Sequence, residues 1–415
     1  MDVNSLTAKG YLSFMKLMHY IHKDIGEQSY LQSLSNVATL LKVKVLQTHT
    51  NDKILTVSGN GFHEFSVNFS IQRIMCTFAL KNQSLMNTFK TWFNNARPIS
   101  LPQSMLPAIT AVALSYGNAE FSWIAALAAL VGVMFLHLGM NLLDDYFDYR
   151  VGSAEARKEV VGEGFRGRMV KYPYLTSGEA TVKQLLVAIA CFLGIAAVMG
   201  VVVLAIRGWI ILLWVLAALL IGVSYSGGPL KLSFRGLGEL VIFVMFGPLM
   251  MSGVYYSVTG IVDWKIWLLS TAVGLLVTNI VYSHSVLDAV PDKKMGKTTM
   301  AHLMGGNSGQ IALSTFINVT PYLIIVVGVL LGLLHWAYLA VLLVQPVSLW
   351  LVGSLRDFVN HKETSLEPKR WMGPMGDFER FRQAGLDWFM LRWLTARNIV
   401  TMFCFIIIVV NFIVK

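Results

Sequence analysis

Charge is scarce in this chain. Asp, Glu, Lys and Arg make up 13% of its 415 residues, against about a quarter in ordinary soluble domains. That shortfall excludes a conventional water-soluble globule of this length. Cysteine is scarcer still. Cys76, Cys191 and Cys404 lie far apart, so neither a disulfide framework nor a thiolate metal site is expected. The extreme N-terminus lacks a clean apolar core ahead of a small-residue cleavage site, so no signal peptide is expected. What the chain has instead is apolar residues, 55% of the total, gathered in long runs. Such runs point to a polytopic membrane protein. The formal charge of +10 raises nucleic acid as a partner. The placement of the cations argues against it, because they concentrate in the loops between apolar runs.

Two regions differ in composition. Residues 1–90 mix polar and apolar side chains and hold no membrane-length run. Short alternating stretches there, Ile54 to Val57 and Phe65 to Phe69, read as strands. The region carries no catalytic constellation. It is expected to be a poorly defined extension, or the product of a misassigned start with Met86 as the alternative. Residues 91–415 form the membrane domain. Nine spans are expected, at about 104–118, 121–143, 184–206, 208–226, 238–260, 265–287, 309–333, 336–355 and 398–414. Their loops are asymmetric. One side carries Arg150, Arg157, Lys158, Arg166, Arg168, Lys171, Lys183, Lys231, Arg235, Lys293, Lys294, Lys297 and the cations from Arg356 to Arg397. The other carries Arg207, Lys265 and Lys415. The positive-inside rule then puts the basic side in the cytoplasm.

Against this background, carboxylates stand out at two span ends on the cytoplasmic side. The first cluster is Asn141-Leu-Leu-Asp144-Asp145-Tyr146-Phe147-Asp148. On a helix Asn141, Asp145 and Asp148 fall at about 0°, 40° and −20°, one narrow face with Asp144 at its edge. The second cluster is Asp288 and Asp292, one turn apart, followed by Gly296-Lys297. Acids at a membrane segment are costly and usually functional. Crowded carboxylates repel, and a divalent cation relieves the repulsion. Hard oxygen donors suit Mg²⁺, which fills its shell from waters and substrate phosphates. Between the clusters lies Tyr225-Ser-Gly-Gly-Pro229, then Lys231 and Arg235-Gly-Leu-Gly-Glu239. Its glycines allow close backbone approach, and its cations suit phosphate oxygens. Together these features predict an enzyme that acts on a lipid diphosphate. An ion-coupled transporter is the reading from another class. Internal repeats and helices broken near the midplane would favour it, whereas these acids sit at helix ends beside a basic Gly-rich loop.

These blocks resemble the UbiA superfamily of intramembrane prenyltransferases, over about residues 92–415. Ala96-Arg97-Pro98 with Leu101-Pro102 resembles its opening segment. Asn141 to Asp148 and Asp288 to Thr298 resemble its two Asp-rich motifs. Ser177-Gly178-Glu179, the Tyr225 to Glu239 segment and Phe246-Gly247-Pro248 match further blocks. The spacing is most similar to the branch that prenylates 1,4-dihydroxy-2-naphthoate. The resemblance implies an all-α bundle of nine transmembrane helices in the cell (inner) membrane. It implies Mg²⁺ held by Asn141, Asp144, Asp145, Asp148, Asp288 and Asp292, and a polyprenyl diphosphate bound with help from Lys231, Arg235 and Lys297. Catalysis would involve Asp145, Asp148, Asp288, Asp292 and Tyr225, with Tyr146 and Phe147 as further rings able to face an allylic cation. Arg97 and His284 would serve the aromatic acceptor. The naphthoate branch carries an Arg where this chain has Leu287. The naphthoate, losing CO₂ to give a demethylmenaquinone, is still the expected acceptor, with 4-hydroxybenzoate, homogentisate, haem and a glycerophosphate lipid as the alternatives. No obligate protein partner is expected. The long segment around Trp371 is expected to lie over the site as an amphipathic interfacial helix.

Overall fold

A computed structural model describes residues 44–45, 54–58, 65–68, 88–150, 152, 172–227, 229–294, 296–362 and 367–414. The chain divides into two units, Met1–Lys90 and Thr91–Lys415. In the first, β1 (Lys44–Val45), β2 (Ile54–Ser58) and β3 (Phe65–Asn68) form an antiparallel sheet in that order. Ile54 pairs with Asn68 and Val57 with Phe65. The two alternating stretches are thus strands of one hairpin. Met86 lies outside the described residues.

The second unit is helical, and each expected span carries a helix. In chain order these are α1 (Pro102–Ser115), α2 (Trp123–Arg150), α3 (Val182–Arg207), α4 (Ile211–Ser226), α5 (Gly238–Thr259), α6 (Trp264–Leu287), α7 (Asn307–Leu330), α8 (Trp336–Val359) and α9 (Asp387–Ile413). Among the described residues seven are long and apolar enough to cross a membrane, and α1 and α4 are shorter. The unit is therefore a multi-pass membrane bundle. At its centre α6 is buried along most of its length, while α3 exposes most of its apolar side chains.

Small residues set the closest crossing. Helix α5 is interrupted by a π segment, Met245–Leu249, with Pro248 inside it. There Gly247 meets Gly274 of α6. A Cβ on Gly247 would lie 2.6 Å from the Gly274 Cα, so only glycine lets these backbones approach so closely. Buried polar side chains act as cross-braces in the same bundle. The Asn279 and Asn318 amides bond each other reciprocally at 2.9 and 2.8 Å. Arg207 donates to the carbonyls of Ser257, Val258 and Glu120. It thereby satisfies acceptors at the C-terminal end of α5.

The segment before the last span differs from expectation. Helix α9 begins at Asp387, eleven residues before the expected start at 398. Trp388, Phe389, Leu391 and Leu394 are buried on it, which gives this first part of the helix its own apolar contacts. Arg392 belongs to the helix rather than to a loop. It is 2% exposed, donates to Trp388 O at 2.6 Å and Ser354 O at 3.3 Å, and lies 5.2 Å over the Phe358 ring. No long interfacial helix appears among the described residues around Trp371. Only the turn Arg370–Met372 and the short helix Phe378–Gln383 form. Met372, Met375 and Phe378 pack on Leu391 and Leu394, so burial against α9 takes the place of a free amphipathic face.

Candidate active site at the helix ends

The first acidic cluster occupies the last two turns of α2. Asp145 and Asp148 are buried there. Asp145 is gripped from two sides. Arg97 Nη1 lies 2.7 Å from Oδ1, and the Tyr174 hydroxyl donates to Oδ2 at 2.9 Å. Burial, and then the Asp145 charge, push the Tyr174 hydroxyl well above the ordinary tyrosine range. Tyr174 therefore remains a donor at working pH. Its ring is seated edge-on against Trp92. Asp144 accepts from the Ser226 hydroxyl at 2.5 Å, and Arg97 Nη2 lies 4.0 Å from it. The carbonyl of Asp148 accepts from the Tyr172 hydroxyl at 3.3 Å.

Asn141 shares the helical face, but its amide serves a local task. It donates to Ala96 O and to Ser100 Oγ, both at 2.9 Å. Arg97 Nη2 in turn donates to Asn141 O at 2.9 Å. Ser100 and Ser104 contact the two ring nitrogens of His137, at 3.3 and 2.6 Å. This network fastens the opening turn onto α2 while Arg97 adopts a left-handed backbone, φ 59°. Such a conformation is strained for a residue with a Cβ and persists only where surrounding contacts over-determine it.

The second cluster sits where α6 ends. Asp288 is its C-terminal cap, and Asp292 belongs to the short helix Ala289–Lys294. Both are buried. His284 Nε2 lies 3.0 Å from Asp288 Oδ2, with its ring edge-on to Phe389. Lys297 Nζ lies 3.8 Å from Asp292 Oδ2. Leu287 is buried in the main hydrophobic core, so this position offers no cation. His302 braces the loop, its Nε2 donating to Ala289 O at 2.7 Å while its Nδ1 accepts from Thr299 N at 2.9 Å.

The Tyr225–Glu239 segment, from the end of α4 to the start of α5, touches Asp144 and the loop that follows Asp292. At its start Ser226 bonds Asp144. At its end the Gly236 amide donates to Thr298 O at 2.8 Å, and the Thr298 amide to Phe234 O at 3.2 Å. Glu239, buried at the start of α5, accepts from the Met300 amide at 3.4 Å. Lys231 and Arg235 are exposed, and Arg235 donates to Pro229 O. Tyr225 is half-buried, and its ring lies 3.4 Å from where a Cβ on Gly238 would stand. Phe147 packs beside Gly227, and the Tyr146 and Phe147 rings are 5.6 Å apart.

Every expected residue thus lies in or beside this end of the bundle, with Lys231 and Arg235 in contact with neither acidic cluster among the described residues. The sequence reading missed Tyr174, Ser226, His137 and His302. Tyr174 and Ser226 had a weak signal, a hydroxyl inside or next to a matched motif; the two histidines had none. A metal fits the donor set. Four buried carboxylates stand at helix ends, yet among the described residues no three His, Cys, Asp or Glu side chains converge. An ion held here would take few ligands from protein and the rest from water or phosphate, which is the habit of Mg²⁺.

Several known proteins are similar to this chain. The chain is 29% identical over 236 residues to the 1,4-dihydroxy-2-naphthoate octaprenyltransferase of Bacillus subtilis, covering 57% of this chain and 72% of that one. It is 25% identical over 283 residues to the 2-carboxy-1,4-naphthoquinone phytyltransferase of Synechocystis, covering 66% and 86%. A UbiA homolog from Archaeoglobus fulgidus, solved with GPP and Mg²⁺, aligns at 16% identity and a TM-score of 0.47, covering 75% of this chain and 99% of that one. The sequence profile of the UbiA prenyltransferase family matches residues 104–372. That stretch holds both acidic motifs and the basic segment that touches them, and the chain belongs to the UbiA prenyltransferase family.

Proposed function

We propose that this prenyltransferase moves a polyprenyl group from its diphosphate to 1,4-dihydroxy-2-naphthoate, with loss of diphosphate and CO₂, to give a demethylmenaquinol, the two-electron-reduced form of a demethylmenaquinone. The observation that carries the shared diphosphate site is that one basic segment bonds Asp144 of the first cluster through Ser226 and the loop that follows Asp292 through Gly236. Relatives named for naphthoate prenyl transfer support the acceptor. Asp145, Asp148, Asp288 and Asp292 would hold Mg²⁺, with Asn141 and Asp144 at the edge of the set. The ion would supply positive charge to the diphosphate as it leaves.

The chain's own groups do the rest. Lys231, Arg235 and Lys297 offer cations to phosphate oxygens from the open side of the site. Breaking the allylic C–O bond leaves a carbocation. The π faces of Tyr225, Tyr146 and Phe147 stabilise such charge. Arg97 already lies against Asp145 and can present its remaining donors to the acceptor carboxylate, which Leu287 cannot do. The ring carbon that bears the carboxylate bonds to the prenyl carbon, the carboxylate leaves as CO₂, and the electron pair of the broken C–C bond restores aromaticity. His284, held to Asp288, flanks the acceptor side.

The test is complementation of a bacterium that lacks its naphthoate prenyltransferase. Restored menaquinone is expected. Its absence from a well-expressed, inserted protein would move the acceptor to another aromatic acid. Orientation follows from the loop charges, and the site would face the cytoplasm of the inner membrane. Cysteines placed near Arg166 and Lys294 should react only with reagent supplied from the cytoplasmic side.

A further inference from the structure

Two loops at this end of the bundle are joined edge to edge. The Gly236 amide donates to Thr298 O, and the Thr298 amide donates to Phe234 O. This is a short parallel bridge between Arg235 and Thr298. Each partner is tied to the charged groups. Lys297 lies 5.9 Å over the Phe234 ring and 3.8 Å from Asp292. The Lys297 amide donates to Asp292 O at 2.9 Å. His302 closes the acidic loop onto Ala289. Asp292, Lys297, Phe234 and Arg235 therefore form one continuous bonded body.

Gly236 is the residue that permits the bridge. Its φ is +78°, a conformation that a side chain resists. It is also buried, and a Cβ there would run into the Leu303 side chain. Both constraints apply at the amide that donates to Thr298.

We propose that the Gly236–Thr298 junction fuses the basic segment and the second acidic motif into one rigid diphosphate clamp, with Gly236 as its positioning residue. The proposal rests on the reading that this site binds a diphosphate. Without the junction, Arg235 would move independently of Asp292 and Lys297. Ordering them then becomes a cost of every binding event. With it, the cations and the carboxylate meet the diphosphate at a fixed spacing.

The test uses the full chain in nanodiscs, with inorganic diphosphate and Mg²⁺ as the calorimetric probe. Gly236→Ala and Thr298→Pro break the junction from opposite sides. Each should weaken Mg²⁺-dependent diphosphate binding about tenfold. Each should raise the KM for the prenyl diphosphate and leave the acceptor KM unchanged. Adding Leu303→Ala to Gly236→Ala should recover part of the loss, because the steric partner is gone. Ser348→Ala is the control. It removes a 2.6 Å bond to Tyr322 inside the bundle and should lower stability without moving either KM. A wild-type chain that binds no diphosphate overturns the functional reading and the clamp together. Wild-type binding that both junction variants match, even at lower yield of folded protein, overturns the clamp alone.

Discussion

The two acidic clusters are held in opposite ways. Around Asp145 and Asp144 the partners come from far along the chain, since Tyr174, Arg97 and Ser226 are separated from them by tens of residues. Around Asp288 and Asp292 the ion-pair partners are neighbours: His284 is one turn away, and Lys297 five residues on. The first cluster is thus assembled by tertiary structure, on an unbroken helix. The second draws its described ion-pair partners from its own helix end and loop, built from a short helix, a left-handed Gly296 and the His302 brace, while contacts to Phe234, Gly236 and Phe389 seat that loop from afar. The difference predicts where distant changes reach. Disturbing the opening turn or the Pro173–Thr176 helix should affect the first cluster and spare the second.

The largest effect should erase the contrast. Asp145→Asn and Asp292→Asn should each lower kcat/KM on the order of a thousandfold, because several kcal/mol of metal-dependent charge stabilisation is lost. EDTA should do the same and Mg²⁺ restore activity. Full activity in either variant would falsify the shared site. Next comes Arg97→Ala. It leaves a buried carboxylate without its cation, a cost of ~3 kcal/mol. The acceptor KM should rise more than that of the diphosphate. A selective rise in the diphosphate KM would place Arg97 with the leaving group instead.

Tyr174→Phe removes one bond to a charged group and should cost about tenfold in kcat/KM. The sign of its pH dependence is set by the raised hydroxyl pKa. Burial and the neighbouring negative charge both favour the protonated donor. The bond is present below the ordinary tyrosine value and lost only above it. The ratio of wild type to variant should hold to about pH 10, and a ratio that closes by pH 8 would refute the donor role. His284→Gln should matter least, less than about threefold, because an amide keeps a donor for Asp288 and the pair is local. A larger loss would give the second cluster a dependence on imidazole that the comparison does not contain.

Local features were legible in the sequence and distant ones were not. Apolar runs located the membrane-length helices, because hydrophobic length is a property of consecutive residues. The spacing of Asp288 and Asp292, one turn apart, was read from sequence, while their pairing with His284 and Lys297 emerges only in the structure. Tyr174 reaching Asp145, or Ser226 reaching Asp144, depends on how α2, α4 and the intervening turn pack, and no spacing rule encodes that. The start of α9 was missed for a related reason. Arg392 and Arg397 break the apolar run in sequence, while in the bundle α8 and the Met372–Phe378 segment cover that stretch.

Arg392 also separates two kinds of charge. During insertion the chain is read as a thread, and this guanidinium counts toward the basic total that sorts loops. After folding it faces carbonyls and a Phe ring, keeping its charge but withdrawn from the surface. Arg207, on the opposite side, is likewise absorbed into backbone carbonyls. The cations counted along the thread are therefore more numerous than those the folded chain exposes at its surface. Neutralising Arg392 should be felt first in biogenesis and helix docking, and only afterwards in turnover.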